Sequence, residues 1–234
     1  MDKIQIRQLF DYETCTYTYV LWDFETKDAI IIDPVLKQVE RDFSYLKKLK
    51  LNLKYILETH IHADHITGAS KLKQKTNAEI CYGSKTGVEG ADILLDDGDK
   101  ITIGSIELCA IHTPGHTEGC TSYYTENYIF TGDTLFIEGT GRTDFQGGSS
   151  DDVYESVKNK IFCYPDETVV YPCHNYNGLN MSTIGYERQY NPNVGDSITK
   201  EDFIKNENNK KRPYPKRFDT AVPANLKCGR DSFE

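Results

Sequence analysis

Residues 59–65 read Thr59-His60-Ile61-His62-Ala63-Asp64-His65, directly after the strand-like run Tyr55-Ile56-Leu57. Half of the six histidines of the chain fall in this loop, beside an aspartate. Imidazole nitrogens and carboxylate oxygens suit a divalent transition metal, and a loop that leaves a strand end can direct several of them into one cavity. The stretch therefore predicts a metal site; a polar loop that is simply rich in histidine is the alternative.

Three further candidate ligands follow along the chain, each just after an apolar run typical of a strand. They are His116, Asp133 and His174. Because mixed α/β folds collect their chemistry at strand ends, we expect these side chains to join the histidine-rich loop. Alone, Asp133 or His174 would be more typical of a hydrogen-bonded loop residue, but their order after the loop favours ligands. His112 precedes a Pro-Gly turn, so we interpret it as structural or as a support for a ligand.

The composition limits the size and the location of the protein. A chain of 234 residues with 38% hydrophobic content can bury one sizeable core, so we predict a single domain over residues 1–234. No stretch approaches the ~20 apolar residues that span a bilayer, and none resembles a secretory signal. The seven scattered cysteines predict free thiols in a reducing compartment, which we take to be the cytoplasm.

The charge distribution limits the partners. A net charge of −9 argues against general binding to nucleic acid or to anionic membranes, because both require a positive field on the protein. One stretch differs, since five of the eight residues from Lys210 to Arg217 are basic. The favoured interpretation is a solvated loop stiffened by prolines, and a nucleic-acid contact is the alternative.

Hydrophobic periodicity predicts an α+β fold. Alternating runs indicate an opening β-meander over residues 4–32 and a second group of strands over residues 79–130. Apolar residues recur at helical spacing from Val39 to Leu49, and further helices are expected after the histidine-rich loop and from Ser149 or Ser150. From about residue 191 the chain is rich in Asn, Pro and Lys, which predicts an irregular tail packed over the body.

The candidate ligands, taken in order, carry a resemblance to a known family. The set His60, His62, Asp64, His65, His116, Asp133 and His174 is similar to the pattern of the metallo-β-lactamase superfamily. That resemblance implies an αβ/βα sandwich, with two mixed β-sheets flanked by helices and a metal site along one edge. The superfamily contains hydrolases, nucleases and oxidoreductases, so the fold alone does not select a reaction.

Longer phrases narrow the resemblance to one branch. They read His60-Ile61-His62-Ala63-Asp64-His65-Ile66-Thr67-Gly68, Gly141-Arg142-Thr143-Asp144-Phe145-Gln146, Tyr171-Pro172-Cys173-His174-Asn175-Tyr176 and Ala221-Val222-Pro223-Ala224-Asn225. These phrases resemble the glutathione persulfide dioxygenases. The resemblance implies oxidation of glutathione persulfide by O2 and water to glutathione and sulfite, a step in sulfide detoxification.

The resemblance also assigns roles. One Fe(II) per chain would be held by His60, His116 and Asp133. The other four members of the set would surround the iron and orient ligands and solvent through hydrogen bonds, without all binding metal; they are His62, Asp64, His65 and His174. Three protein ligands on one face of an octahedral iron leave three positions for water, O2 and the substrate sulfur.

The ligand count leaves other functions open. Seven potential ligands could equally hold two zinc ions that share Asp133, as in the glyoxalase II thioester hydrolases of the same superfamily. The longer phrases favour iron, and so does a tail of only 60 residues after His174, because glyoxalase II enzymes generally carry a longer helical C-terminal region. A metal-bound sulfide sensor without turnover is a third, less favoured hypothesis.

Glutathione carries two carboxylates, so an acidic protein must supply local cations to bind it. By the same resemblance Arg142 and Tyr176 are expected to contact the substrate, and Arg188 is a weaker candidate. The alternatives are an ion pair for Arg142 and a packed ring for Tyr176. Some relatives have a further Arg where this chain has Asn193, so part of the carboxylate clamp is missing or replaced. Cys228, in the family-like tail, is a candidate reactive thiol, and a second copy of the chain or a sulfurtransferase is a candidate partner.

Overall fold

Two six-stranded sheets lie face to face, and helices cover both outer faces. The computed structural model describes residues 3–230, so the first two and last four residues of the predicted domain lie outside the described part. The first sheet contains β1 (Ile4–Asp11), β2 (Thr16–Asp23), β3 (Asp28–Ile32), β4 (Asn52–Leu57), β5 (Glu79–Gly83) and β6 (Ile93–Leu95), in that order.

The first sheet changes from antiparallel to parallel pairing at β3. The predicted meander forms β1, β2 and β3, which pair antiparallel through short turns. β3, β4 and β5 pair in parallel because helices α1 (Val39–Lys48) and α2 (Ala69–Thr76) make the crossover connections between them. α2 begins just after the histidine-rich loop, so that loop lies between the end of β4 and the start of a helix.

The second sheet contains β7 (Lys100–Ile103), β8 (Ile106–His112), β9 (Thr121–Thr125), β10 (Tyr128–Gly132), β11 (Val169–Pro172) and β12 (Ser182–Thr183). Pairing is antiparallel from β7 to β10, and β11 is parallel to β10. α3 (Ser150–Glu155), which continues as a π-helical segment over Ser156–Ile161, connects these two parallel strands. Its start is capped by the Ser149 side chain, which accepts a hydrogen bond from the Asp152 amide.

Three apolar layers hold the sheets and helices together. Between the sheets, buried residues such as Tyr19, Ile32 and Phe130 form the central core. α1 and α2 pack on the outer face of the first sheet, and the helical segment 150–161 packs on that of the second. This arrangement confirms the predicted αβ/βα sandwich of two mixed sheets.

The C-terminal region is more regular than the sequence indicates. After α4 (Ile184–Tyr190), the chain forms α5 (Lys200–Asn209) and α6 (Phe218–Asn225), so the prediction of an irregular tail from residue 191 is wrong for these segments. Each of the two helices buries only two residues, Phe203 and Glu207 in α5 and Ala221 and Asn225 in α6. Only one of the two buried residues in each helix is apolar, so no helical pattern of apolar residues predicts them, and packing against the body stabilises the helices instead.

Candidate metal centre and substrate cavity

The predicted ligands meet at one edge of the sandwich, where four strands end. The histidine-rich loop follows β4, His116 lies in the loop after β8, Asp133 directly follows β10, and His174 follows β11. Gly132 makes this meeting possible: its φ is +54°, and a Cβ there would lie 2.7 Å from the Thr59 side chain. A larger residue would therefore separate the end of β10 from the histidine-rich loop.

Three of the side chains form a compact group of donor atoms. One donor atom from each of His60, His116 and Asp133 lies within 4.8 Å of the other two. Asp133 Oδ2 is 4.0 Å from His60 Nε2 and 3.5 Å from His116 Nε2. Metal bonds to nitrogen and oxygen are about 2.0–2.2 Å long, so one ion can lie between these three atoms after small adjustments.

Hydrogen bonds orient the imidazole rings toward this point. The His116 Nδ1–H donates to the carbonyl of Arg142 at 2.7 Å. The Thr59 hydroxyl donates to Asp33, so it accepts from the His60 Nδ1–H at 3.0 Å. The Nε2 lone pairs of both rings are thus left for a metal. Burial and the neighbouring imidazoles of His62 and His116 lower the pKa of His60 well below its usual range, which keeps the ring neutral.

His174 extends the group on the other side of Asp133. Its Nδ1–H donates to the Cys15 carbonyl at 3.2 Å. Its Nε2 lies 3.6 Å from Asp133 Oδ1 and 3.6 Å from Asp64 Oδ2. The two oxygens of Asp133 therefore face different neighbours, with Oδ2 toward His60 and His116 and Oδ1 toward His174. This places Asp133 between two potential metal positions.

The His62 ring is held through its Nε2, whereas the rings of His60, His116 and His174 are held through Nδ1. Its Nε2 lies 3.1 Å from Asp33 Oδ1 and 3.2 Å from Glu58 Oε2, both of which are buried. Burial raises the pKa of Glu58 to about 7, while Asp33 also accepts the Thr59 amide and hydroxyl. One buried carboxylate, Asp33, thus supports His60 through Thr59 and His62 directly.

Several buried donor atoms at this edge have no hydrogen-bond partner among the described residues. They are His62 Nδ1, His65 Nε2 and Asp133 Oδ1. Buried polar atoms are almost always paired, so unpaired atoms clustered in one place indicate a missing ligand. His62, Asp64 and His65 form a second group of donor atoms within 4.8 Å of one another. The residues present therefore fit a metal ion, and their number allows one ion or two.

A cavity of about 420 Å³ opens above these ligands. His60, His116, Asp133 and His174 lie on its floor, and Arg142 and Tyr176 line its upper part. The Tyr176 ring stacks on His174, with ring centroids 5.9 Å apart and planes 14° apart, yet 69% of this residue is exposed. The two predicted substrate contacts, Arg142 and Tyr176, therefore both line the cavity.

The structure does not bring Arg188 to this cavity. Its guanidinium lies on α4, 3.0 Å from Asp166 and 3.1 Å from Asp196. Both acids lie on the surface, away from the residues that line the cavity. We therefore correct the prediction for Arg188, which is part of a surface ion-pair cluster and not a substrate contact in this arrangement.

Sequence reasoning missed two residues of the C-terminal region. Arg212, from the basic stretch interpreted as a solvated loop, lines the cavity. Asn225, from the phrase in α6, is buried and binds the backbone of the histidine-rich loop: its amide donates to the carbonyls of His62 and His65 at 2.8 Å each. It also accepts from the Thr67 amide at 2.9 Å. The tail phrase was a signal for Asn225, whereas Arg212 had no signal beyond its charge.

The cysteines are free among the described residues, as predicted. Cys173 is buried between His62 and His174, and burial raises its pKa. Cys228 is also buried, its pKa is raised to about 11 by burial, and its Sγ lies 3.7 Å from the Glu89 carbonyl. The hypothesis of a reactive thiol at Cys228 is therefore not supported. No helix in residues 3–230 combines the length and apolar character needed to cross a bilayer.

Comparison with known proteins defines the class. A family model described as the metallo-beta-lactamase superfamily matches residues 15–174, which is more than half of the chain. This match agrees with the two sheets and with ligands that follow β4, β8, β10 and β11. The chain belongs to the metallo-β-lactamase superfamily, which confirms the first resemblance.

Individual relatives narrow the assignment further. The human protein named persulfide dioxygenase ETHE1, mitochondrial, is 42% identical over 228 residues, which cover 97% of this chain and 89% of the human protein. The crystal structure of ETHE1 from Myxococcus xanthus has a TM-score of 0.94 at 42% identity and covers 97% of this chain and 100% of that one. A protein named glyoxylase B2 from Dictyostelium discoideum is 34% identical over 269 residues, covering 97% of this chain and 92% of that protein. Within the superfamily, the chain therefore belongs to the persulfide dioxygenase ETHE1 family.

Proposed function

We propose that this protein is a persulfide dioxygenase, an oxidoreductase that converts glutathione persulfide, O2 and water to glutathione and sulfite. The observation that carries the proposal is the group formed by His60, His116 and Asp133 on the floor of a cavity, in a chain 42% identical to persulfide dioxygenases over nearly its whole length. Two imidazoles and one carboxylate are the ligand set of non-haem ferrous oxygenases. The cofactor we propose is one Fe(II) per chain.

The chain's own residues have separate tasks in this proposal. His60, His116 and Asp133 would hold the iron, which when bound supplies redox chemistry and open positions for O2 and a sulfur anion. The carbonyl of Arg142 and the hydroxyl of Thr59 accept hydrogen bonds from Nδ1 of His116 and His60 and so aim the Nε2 atoms of both rings at the centre. Asp33 fixes the positions of the Thr59 and His62 side chains by forming hydrogen bonds with both.

The upper cavity would bind the organic part of the substrate. Arg142, which also binds Asp144, would offer its two remaining N–H donors to a carboxylate of glutathione, and the exposed ring of Tyr176 covers part of the cavity beside His174. His62, Asp64, His65 and His174 would act by orienting the ligands and a bound water through hydrogen bonds. A second copy of the chain and a sulfurtransferase that delivers persulfide remain proposed partners. A cytoplasmic location, expected from the free cysteines, also remains a proposal, whereas the human relative is named as mitochondrial.

A dinuclear zinc hydrolase of glutathione thioesters is the second candidate. The observation that favours it is the second donor group of His62, Asp64 and His65, together with the position of Asp133 between the two groups. In that reading, two zinc ions would activate a water for attack on a thioester carbonyl. This candidate needs no O2, so the two functions are separable by experiment.

The test is to prepare the metal-free protein, reload it with Fe(II) or with Zn(II), and assay both reactions. We expect the iron form to consume O2 and release sulfite only when glutathione persulfide is present, and the zinc form to be inactive. Cleavage of S-lactoylglutathione by the zinc form, without O2 uptake by the iron form, would support the hydrolase instead. Neither activity in either form would leave a metal-bound sensor as the remaining hypothesis.

A further inference from the structure

We infer that Arg212 binds a carboxylate of the substrate at the mouth of the cavity and thereby sets the preference for glutathione persulfide over smaller persulfides. This inference rests on the proposed function and names a binding residue in the same site. Arg212 lies in the segment between α5 and α6, more than 30 residues after the last predicted metal ligand. The cavity that has His60 and Asp133 on its floor is nevertheless lined by Arg212.

A buried carboxylate holds Arg212 in place. Arg212 Nη2 donates to Glu207 Oε2 at 2.9 Å, and the Glu207 side chain is only 1% exposed. The other oxygen of Glu207 accepts from Lys210, so both oxygens of this buried acid are satisfied by cations. The side chain of Arg212 itself is 24% exposed. The guanidinium is therefore fixed on one side and accessible on the other, as a preorganised binding group requires.

The two arginines at the cavity differ in how many donors they have left. Arg142 uses all three of its nitrogens within the protein: Nε and Nη2 donate to the two oxygens of Asp144 at 2.6 and 2.8 Å, and Nη1 donates to the Pro213 carbonyl at 3.0 Å. Among residues 3–230, Arg212 donates only through Nη2. A guanidinium has five N–H donors, so Arg212 retains four of them for a carboxylate: those on Nε and Nη1 and the second one on Nη2.

The charges of the cavity support an anionic ligand at this point. Its lining contains two cations, Arg142 and Arg212, and two acids, Asp64 and Asp133. Asp133 is one of the proposed iron ligands, so a bound iron offsets its charge, and Asp64 already lies 3.0 Å from His65 Nδ1 and 3.6 Å from His174 Nε2. Asp144 already offsets the charge of Arg142. Glu207 divides its single charge between Lys210 and Arg212, so Arg212 is the lining cation with more charge and more donors available to glutathione, which carries a carboxylate at each end and its sulfur in the middle.

The test compares Arg212→Ala with a matched control, Lys211→Ala, in the iron-loaded protein. Lys211 is the neighbouring residue, has the same charge and does not line the cavity. Loss of a charge-assisted hydrogen-bonded contact should raise the KM for glutathione persulfide about ten- to hundredfold with little change in kcat, while Lys211→Ala leaves both unchanged. The persulfide of 2-mercaptoethanol, which has no carboxylate, should show the same KM with both variants.

A second variant guards against loss of the fold, because Arg212→Ala removes one partner of buried Glu207. Arg212→Gln can still donate to Glu207 but carries no charge, so it should keep the thermal stability and metal content of the parent and still show the raised KM. Equal KM values for glutathione persulfide in the parent and in Arg212→Gln would overturn the inference. So would an equal rise in KM for the persulfide without carboxylates.

A binding measurement separates this inference from the proposed function. Calorimetry of glutathione itself, titrated into the metal-loaded parent and into Arg212→Gln, does not depend on turnover. Weaker glutathione binding by the variant supports the role of Arg212 even if no persulfide is oxidised, in which case only the proposed reaction fails. Normal persulfide oxidation with unchanged glutathione binding by the variant contradicts the role of Arg212 alone.

Discussion

The floor and the mouth of the cavity are built in different ways. On the floor, His60, Asp133 and His174 are buried and lie next to strand ends, and hydrogen bonds at Nδ1 hold the rings of His60 and His174. At the mouth, Tyr176 is mostly exposed and Arg212 comes from a loop between two C-terminal helices. The floor is therefore determined by the strand ends of the sandwich, whereas the mouth combines an exposed part of the loop after β11 with a segment from the C-terminal region.

This difference assigns the metal chemistry to the floor of the cavity and the selectivity for substrate to its mouth. A metal centre needs several donor atoms within a few ångströms, and rigid strand ends provide that precision. A substrate-binding surface needs only a few well-placed polar groups, which loops and short helices can supply. We therefore expect substitutions on the floor to abolish the reaction and substitutions at the mouth to alter the apparent affinity for substrate.

The largest effect is expected from His60→Ala. Partners that only orient a metal ligand typically cost about 10–100-fold in metal affinity or activity, so loss of a ligand should lower persulfide oxidation more than about a hundredfold. The measurement is O2 uptake together with iron content per chain. His112→Ala is the control, because that ring binds the Glu118 carbonyl and does not line the cavity. Near-normal activity of His60→Ala would show that the floor has been assigned wrongly.

The next effect is expected from Asn225→Ala, which tests the link between the tail and the floor. The change leaves the Thr67 amide and two carbonyls of the histidine-rich loop without partners, so we expect a loss of about 2–4 kcal/mol in the free energy of unfolding. Urea unfolding measures this loss, and the rate of iron release to a chelator should rise about tenfold or more. Asn209→Ala, at the exposed end of α5, is the matched control. Unchanged iron release would mean that α6 stabilises the fold without holding the loop.

A smaller effect is expected at the mouth from Tyr176→Ala. Removing the ring that stacks on His174 should raise the KM for glutathione persulfide about two- to tenfold and leave kcat nearly unchanged. Tyr176→Phe keeps the ring and is the control for the hydroxyl group. A lower kcat with an unchanged KM would mean that Tyr176 affects the reaction at the metal centre and not substrate binding. That result would contradict the assignment of Tyr176 to the mouth.

The smallest effect is expected from Asp144→Asn. Hydrogen bonds from Arg142 lower the pKa of Asp144 below its ordinary 3.8, although burial opposes them, so the pair is intact throughout the usual assay range. Such a half-exposed pair contributes at most about 1 kcal/mol, and this stability is present above pH 3.8 and lost as the pH falls through the lowered pKa. Loss of the ion pair makes the Nε and Nη2 donors of Arg142 available to the substrate, so the KM for glutathione persulfide should fall about two- to threefold in steady-state assays. A rise in KM would show that Asp144 itself helps to bind the substrate.

The sequence predicted the floor far better than the mouth, for physical reasons. Metal ligands must follow strand ends, so His60, His116 and Asp133 are marked by residue type and by the apolar runs before them. Neither signal identifies Arg212, because its position depends on how α5 and α6 pack over the body. Those helices bury too few apolar residues for the sequence to predict them. β6 and β12 are only three and two residues long and give no alternating pattern.

Positive charge alone did not identify the correct substrate-binding arginine of the C-terminal region. Arg188 and Arg212 are both cations in the C-terminal part of the chain, but the first pairs with surface acids and the second reaches the cavity. Only the path of the chain separates them. The same holds for Cys228, which lies in a family-like phrase and yet is fully buried against the Glu89 carbonyl.

One titration tests the central claim, that a single ferrous ion held by His60, His116 and Asp133 carries the reaction. Metal-free protein would receive Fe(II) in steps without O2, and the rate of O2 uptake with glutathione persulfide would be measured at each step. The account predicts that the rate rises linearly and reaches its maximum at one iron per chain, with one O2 consumed for each sulfite released. A rate that keeps rising to two metal ions per chain, or a full rate with zinc in place of iron, would contradict it.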